Sequence, residues 1–322
     1  MKLNRAMKLE NVGIKGIGSY VPMQDIPNKN IEDLNVGTTS EWISKNLGIN
    51  KRRIVTDELP SDLAYQAALS AIADAKLDKE DIDLIIVATS SPDRIAPSTA
   101  CITAGKLDLK RPAFDINAVC GGFVYGMQLA TNLVSTGQYN NVLLIGADAY
   151  SKNTDWSNRS CVFFGDGAGA VVISKIKGAW VDTEIYGDGT GTETAPGDSF
   201  TCYHGENFNM NAGAVYEFAT KVLPDSIKRM MDNHSLTNKD IDLMIPHQPG
   251  HRVLFKTSEI LDFPLEKVIF NMTNFANTAG ASIPMALDRA YREEKIKNGD
   301  VLIMPAVGSG WVWGVTLLKY IR

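Results

Sequence analysis

The sequence has no unbroken apolar run of about 18 residues, so nothing in it reads as a membrane-spanning helix. Its opening stretch, Met1 to Glu10, holds no apolar core of signal-peptide length. Cysteine is sparse. The four present, at 101, 120, 161 and 202, form neither a CxxC pair nor a metal-ligand spacing. Thiols so scattered exclude a disulfide framework and suit a reducing compartment, so a soluble cytoplasmic protein is expected. An excess of positive charge is missing too: 32 Lys and Arg face 37 Asp and Glu, a net charge of −5. That removes any general electrostatic case for nucleic acid or an anionic membrane as partner. His247 and His251 are four apart, but Pro249 and Gly250 break a shared helix and no third ligand offers itself, so no metal is expected. Nor is Gly165-Asp-Gly-Ala-Gly169 a dinucleotide fingerprint, because it lies between two predicted strands rather than before a helix. His204 and His234 fall in polar stretches with no evident role.

What is present centres on Phe114-Asp-Ile-Asn-Ala-Val-Cys120-Gly-Gly-Phe. Its alternation and apolar content predict a short buried strand over 114–117, then a tight turn and a helix opening at about Cys120. A thiol at a helix N-terminus sits among unpaired N–H groups at the positive end of the dipole, which favours the thiolate. The same stretch also suits a buried core cysteine, the commoner fate of a free thiol. Residues 84–88 form a continuous apolar run and predict a buried strand. An Ala-rich amphipathic helix is predicted over 61–75, and a helix capped by Thr39 or Ser40 carries Trp42 in its first turn.

The second half of the chain repeats the first. Lys79-Glu-Asp-Ile-Asp-Leu-Ile-Ile86 recurs as Asn238-Lys-Asp-Ile-Asp-Leu-Met-Ile245, and Asn141-Val-Leu-Leu-Ile145 as Asp300-Val-Leu-Ile-Met304, each displaced by 159 residues. The same displacement carries Cys120 to Ala279, inside another turn entering a helix. Strands and helices alternate in both halves, so each predicts a mainly parallel sheet with helices on its faces. The expected architecture is α/β, two duplicated halves over 1–177 and 178–322 that share central helices. His247 follows the apolar run Leu243-Met-Ile-Pro246 and emerges at a strand's C-terminal end, the edge where such sheets bind ligands. Asn277 occupies the turn before a helix, nearly the symmetric position to Cys120. Taken singly, these are a capping histidine and a turn asparagine. If the halves pack about a pseudo-twofold axis, all three converge on one cavity.

Cys120-Gly-Gly-Phe, Pro246-His247-Gln, Asn277-Thr-Ala-Gly-Ala-Ser-Ile-Pro and Phe164-Gly-Asp-Gly-Ala-Gly-Ala, in order and at near-family spacing, resemble the signature segments of β-ketoacyl-acyl carrier protein synthase III. The resemblance implies the thiolase-like five-layered αβαβα fold and a homodimer. It also implies an acyltransferase that condenses an acyl-CoA primer with malonyl-acyl carrier protein, without a cofactor. Cys120 would be the acylated nucleophile, and His247 and Asn277 the donors in the decarboxylation step. Gly308-Ser-Gly-Trp-Val-Trp-Gly314 resembles the family's C-terminal glycine-rich loop, so the backbone N–H of Ser309 would join that of Cys120 in an oxyanion hole. A neutral His247 would present Nε2–H to the substrate.

For substrate and coenzyme A binding the resemblance implies Trp42 stacked on adenine, Arg159 on the base's other side, and Phe164, Met210 and Arg252. Arg252 and Lys256, one helical turn apart, are the candidates for meeting an acidic carrier protein. The chain departs from the family at Asn46, where some members have arginine, and at Ser309 and Trp311, where glycine and phenylalanine are usual. Ala96 stands where some relatives carry a bulky aromatic, which predicts room for a primer longer than acetyl. The competing expectations are a related acyltransferase of secondary metabolism and a non-catalytic acyl-binding subunit.

Overall fold

The apolar runs become neighbours. In the computed structural model, which describes residues 8–189, 200–203 and 205–322, Leu84–Ala88 pairs in parallel with Asn141–Ala149 on one side and Ala113–Ile116 on the other. Asn141–Ala149 then pairs antiparallel with the first part of a long strand, Asp166–Gly187. The last part of that strand pairs with Val312–Lys319, which lies against Val301–Gly308. The position between 177 and 178 falls inside this strand, so the two halves share one element rather than meeting at a linker. His204 and residues 190–199 lie outside the described residues.

Alternation along the strands builds five layers. In Asn141–Ala149, Leu143, Ile145 and Ala147 face the Pro60–Asp74 helix, while Val142 and Leu144 face the Gly122–Ser135 and Ser282–Arg292 helices. In Val301–Gly308, Leu302, Met304 and Ala306 face the same two central helices, and Ile303 faces the Ala212–Asn233 helix. The order is therefore outer helices, sheet, central helices, sheet, outer helices. Pro60–Asp74 buries Leu63, Ala64, Ala67, Ala68 and Ala71, a helical stripe of small side chains that lets the helix lie close to its sheet. Each fully buried Leu or Ile in these layers contributes about 2 kcal/mol of apolar transfer.

Four expectations change on contact with the structure. Ala113–Ile116 is an edge strand with Phe114 exposed, not a buried one, because nothing among the described residues pairs with its outer side. Cys120 lies in a 3-10 turn, Val119–Gly121, and the α-helix begins after it at Gly122. Its counterpart is the 3-10 turn Ala279–Ala281 before Ser282–Arg292. Val119 at φ 45° and Ala279 at φ 46° repeat the same left-handed entry, so Cys120 matches Gly280 and the displacement here is 160, one more than between the strands. His234, for which no role was expected, pairs with Asp182 at 2.8 Å and stacks on Trp180.

Candidate active site

The two matching turns face each other at the centre of the molecule. Gly308 closes over the first of them: a Cβ there would lie 2.9 Å from the Cys120 N and 3.0 Å from the Gly121 N, so only glycine lets the strand end approach so closely. Cys120 is half-buried and lines a cavity of about 350 Å³. Burial opposes the thiolate that a helix start was expected to favour. Burial pushes the Cys120 thiol up, the carboxylate of Asp148 behind it adds to the rise, and the residue's own N–H opposes it only in part.

His247 and Asn277 line the same cavity as Cys120. The strand assigned before His247 is short, Leu243–Met244, but the chain continues alongside Val301–Gly308, with Ile245 N–H donating to Ile303 O and His247 N–H to Pro305 O at 2.8 and 2.9 Å. Next to it Gln248 is buried and fully used: its amide nitrogen Nε2 donates to Pro246 O and Ile269 O, while Oε1 accepts from Asn271 N and Met272 N. That fixes where the histidine emerges. Burial pushes His247 down to about 3, with a smaller opposing effect from the Ala279 backbone, so the ring is neutral near pH 7. Its Nδ1 is 2.7 Å from Ser282 Oγ, whose hydroxyl donates to Ala279 O at 2.8 Å.

Asn277 is pinned by its backbone, donating to Phe163 O and accepting from Gly165 N, both at 3.0 Å. Its side-chain Oδ1 accepts from Ala279 N at 2.8 Å. A backbone N–H requires an acceptor, so this bond settles the orientation of the amide and leaves the Nδ2 donors for the cavity.

The cavity wall also includes Trp42, Asn46, Phe164, Met210, Arg252 and Ser309. Thr39 Oγ1 caps the Ser40–Leu47 helix by accepting from Trp42 N at 3.1 Å, which sets the indole at the mouth. The guanidinium of Arg159 lies over that ring at 4.2 Å, too close to admit a base between them. A sandwiched adenine would therefore have to displace Arg159. Beneath the pair, fully buried Arg52 donates to Asn28 Oδ1 and Val162 O, tying the segments that carry Trp42 and Arg159. Asn46 Oδ1 accepts from Arg252 at 2.6 Å, so the asparagine engages a residue expected to meet coenzyme A or the carrier protein. Lys256 lies outside the cavity, in a neighbouring recess with Phe255, and pairs with Glu259 at 3.0 Å. Ser309 Oγ donates to Phe200 O at 2.7 Å, which anchors the loop that follows Gly308.

Three residues escaped the sequence. Asp148, fully buried, accepts from the backbone of Ser90, Ser91 and Gly280, joining the first half to the second half's turn. Tyr150 packs in a cluster with Cys120, Phe164, Phe200 and Phe208, stacks on Phe164 at 4.8 Å, and its hydroxyl lies 2.8 Å from Ser90 Oγ. Ser282 holds the imidazole of His247. Only Ser282 carried a signal, as part of the segment that begins at Asn277.

Twin turns brought face to face between two sheets, one bearing a thiol and the other flanked by an amide and an imidazole, define a thiolase-like acyl-transferring fold. The family profile described as 3-oxoacyl-[acyl-carrier-protein (ACP)] synthase III matches residues 114–189, and its C-terminal counterpart matches 231–320. The β-ketoacyl-[acyl-carrier-protein] synthase III of Oceanobacillus iheyensis is 39% identical over 316 residues, covering 96% of this chain and 99% of that protein. That of Clostridioides difficile is 41% identical over 322 residues, covering 96% and 98%. The crystal structure of 3-oxoacyl-[acyl-carrier-protein] synthase III from Aquifex aeolicus superposes with a TM-score of 0.92 at 37% identity, covering 96% of this chain and all of that one. This chain belongs to the 3-oxoacyl-[acyl-carrier-protein] synthase III family.

Proposed function

We infer that the protein carries out the initiating condensation of fatty-acid synthesis, joining an acyl-CoA primer to malonyl-acyl carrier protein with loss of CO2. The observation that carries this reading is the opening of Cys120, His247 and Asn277 onto one apolar-walled cavity. The Cys120 sulfur attacks the primer thioester, and the backbone N–H groups of Cys120 and Ser309 receive the tetrahedral oxyanion. Malonyl thioester then loses CO2, and enolate charge develops on its carbonyl oxygen. The Nδ2 of Asn277 and the Nε2 of His247 are the donors for that oxygen. The carbanion attacks the acyl group on Cys120 and returns the sulfur. An amide donor whose other end is locked favours condensation over plain acyl transfer, because transfer has no enolate to stabilise.

Trp42 and Arg159 support a coenzyme A site at the mouth, and Arg252 with Lys256 a basic edge for the carrier protein. The free edge of Ala113–Ile116, with Phe114 and Ile95 exposed, supports a homodimer built on that side. Four dispersed thiols support a cytoplasmic location; among the described residues no helix is long and apolar enough to cross a membrane. Tyr150 and its aromatic neighbours pack beside Cys120 and would limit the length of the primer, whereas Ala96 is exposed and lies outside the cavity wall. Mass spectrometry after mixing with acyl-CoA tests the first step: an acyl adduct is expected on the native protein and none on Cys120→Ala. An unmodified native protein would refute the reading.

A further inference from the structure

The hydroxyl of Ser282 touches two atoms and has one proton to give. Ala279 O, at 2.8 Å, can only accept; His247 Nδ1, at 2.7 Å, can accept or donate. If the hydroxyl donates to Ala279 O, its lone pair faces Nδ1, the ring carries its proton there, and both short contacts are hydrogen bonds. If it donates to Nδ1 instead, two oxygens face each other at 2.8 Å with no proton between them. The first arrangement satisfies two contacts and the second only one. Both side chains are buried, His247 at 2% and Ser282 at 1% exposure, so water does not replace the lost bond. Ser282 is also held in place, because it opens the Ser282–Arg292 helix and its own backbone N–H donates to Ala279 O.

The neutral ring therefore points a lone pair, not an N–H, from Nε2 into the cavity, the reverse of the sequence expectation. We propose that Ser282 is a positioning residue that fixes the Nδ1–H form of His247, so that the ring must take the Cys120 proton before it can donate to the enolate. The proposal rests on the condensing reading above. The proton count closes. As the Cys120 sulfur bonds to the acyl carbon, its proton moves to Nε2 and the coenzyme leaves as a thiolate, which takes a proton from solvent. The imidazolium so formed donates Nε2–H to the enolate oxygen when CO2 departs. When the carbanion attacks the acyl group and the Cys120 thiolate is released, it recovers the proton from Nε2. One solvent proton is consumed per cycle, as the net condensation requires. Decarboxylation is thereby coupled to prior acylation, since an unacylated enzyme has no donor on Nε2.

The test compares two half-reactions in the wild type, Ser282→Ala and Ser282→Thr. Ser282→Ala lets the ring carry its proton on Nε2, so acyl-Cys120 formation should fall by about 100-fold, the scale of a lost general base. CO2 release from malonyl-acyl carrier protein without any acyl donor should rise above the wild-type rate. Ser282→Thr keeps the hydroxyl and should behave as wild type in both. A parallel fall of both rates in Ser282→Ala would overturn the proposal. Should that variant fail to fold, the 15N spectrum of histidine-labelled wild-type protein, assigned with His247→Gln, decides alone. A protonated Nδ1 and an unprotonated Nε2 support the proposal, and the opposite pattern overturns it. A wild-type enzyme that forms no adduct and no condensation product refutes the condensing reading instead.

Discussion

Replacing Asn277 by aspartate removes one function and leaves the rest of the residue in place. The backbone bonds to Phe163 and Gly165 are unaffected, and a carboxylate oxygen can still accept from Ala279 N as Oδ1 does at 2.8 Å. What disappears is the Nδ2 donor. Losing one oxyanion-type donor costs about 3 kcal/mol, or 10²–10³ in rate, and a nearby negative charge adds to the loss. Condensation in Asn277→Asp should therefore fall at least 100-fold, while transfer of the primer to Cys120 stays within a few-fold of wild type. Rapid-quench mass spectrometry of the acyl adduct measures the first step, and product formation from malonyl-acyl carrier protein measures the second. Because the carboxyl would sit at an 8%-exposed position, its pKa should rise, and protonation at low pH would restore an O–H donor. Partial recovery of condensation on acidification is thus expected. Equal losses in both steps would show that Asn277 shapes the cavity rather than stabilising the enolate.

Other perturbations separate the remaining roles. Trp42→Ala removes the indole face that an adenine would occupy once Arg159 moves aside, worth about 1–2 kcal/mol, so KM for acyl-CoA should rise five- to thirtyfold (a rough conversion) with kcat little changed; a loss confined to kcat would remove Trp42 from coenzyme binding. Tyr150→Leu should raise the octanoyl-CoA rate relative to butyryl-CoA by about tenfold, the scale of one or two methylenes in an apolar pocket, and an unchanged ratio would show that Tyr150 does not bound the primer. Among the groups that make stability depend on pH, two buried ones act in opposite directions. His247, depressed from 6.5 to about 3 on folding, loses stability for the fold as pH falls below 6.5, whereas Asp166, raised from 3.8 to about 6 by burial, loses it as pH rises through that window. His247→Gln should therefore unmask a fall in stability of about 1.4 kcal/mol per unit from pH 4 to 6, read from urea midpoints; a rise over that range would reverse the assignment. Finally, with its thiol pushed up, Cys120 should react with iodoacetamide at a rate climbing about tenfold per pH unit through pH 8, and a plateau below pH 7 would indicate a resting thiolate.

The duplication was legible because it is written in local pattern. Two apolar strands and their acidic lead-ins recur at one spacing, and strand alternation then assigns which face meets which helix layer. Cys120, His247 and Asn277 were legible for a related reason: each sits where a strand hands over to a turn, and symmetry brings those turns together. The contacts that tune them were not. Asp148 reaches across to Gly280 from the opposite half, and Tyr150 enters the Cys120 cluster only because its strand runs on to Ala149. Neither contact leaves a trace in spacing. What opposes the expected thiolate was hidden because a sequence reveals the helix that follows a cysteine but not how much water its sulfur has lost.

That burial bears on how the site avoids idle chemistry. Burial raises the thiol of Cys120 and depresses the imidazole of His247, so the pair rests uncharged and a standing thiolate–imidazolium pair is disfavoured on both sides. Charge has to be created during the reaction, and the substrates bring what offsets it: an oxyanion in the first step, and a malonyl carboxylate and then an enolate in the second. Each is an anion arriving beside the ring that must become cationic. In a cavity walled by Phe163, Phe164, Phe200, Met210 and Trp311, such an attraction is far stronger than it would be in water. A site of this kind is inert toward solvent and becomes reactive when a thioester completes its charge balance. This explains why an apolar wall and a buried, singly anchored histidine belong to the same design.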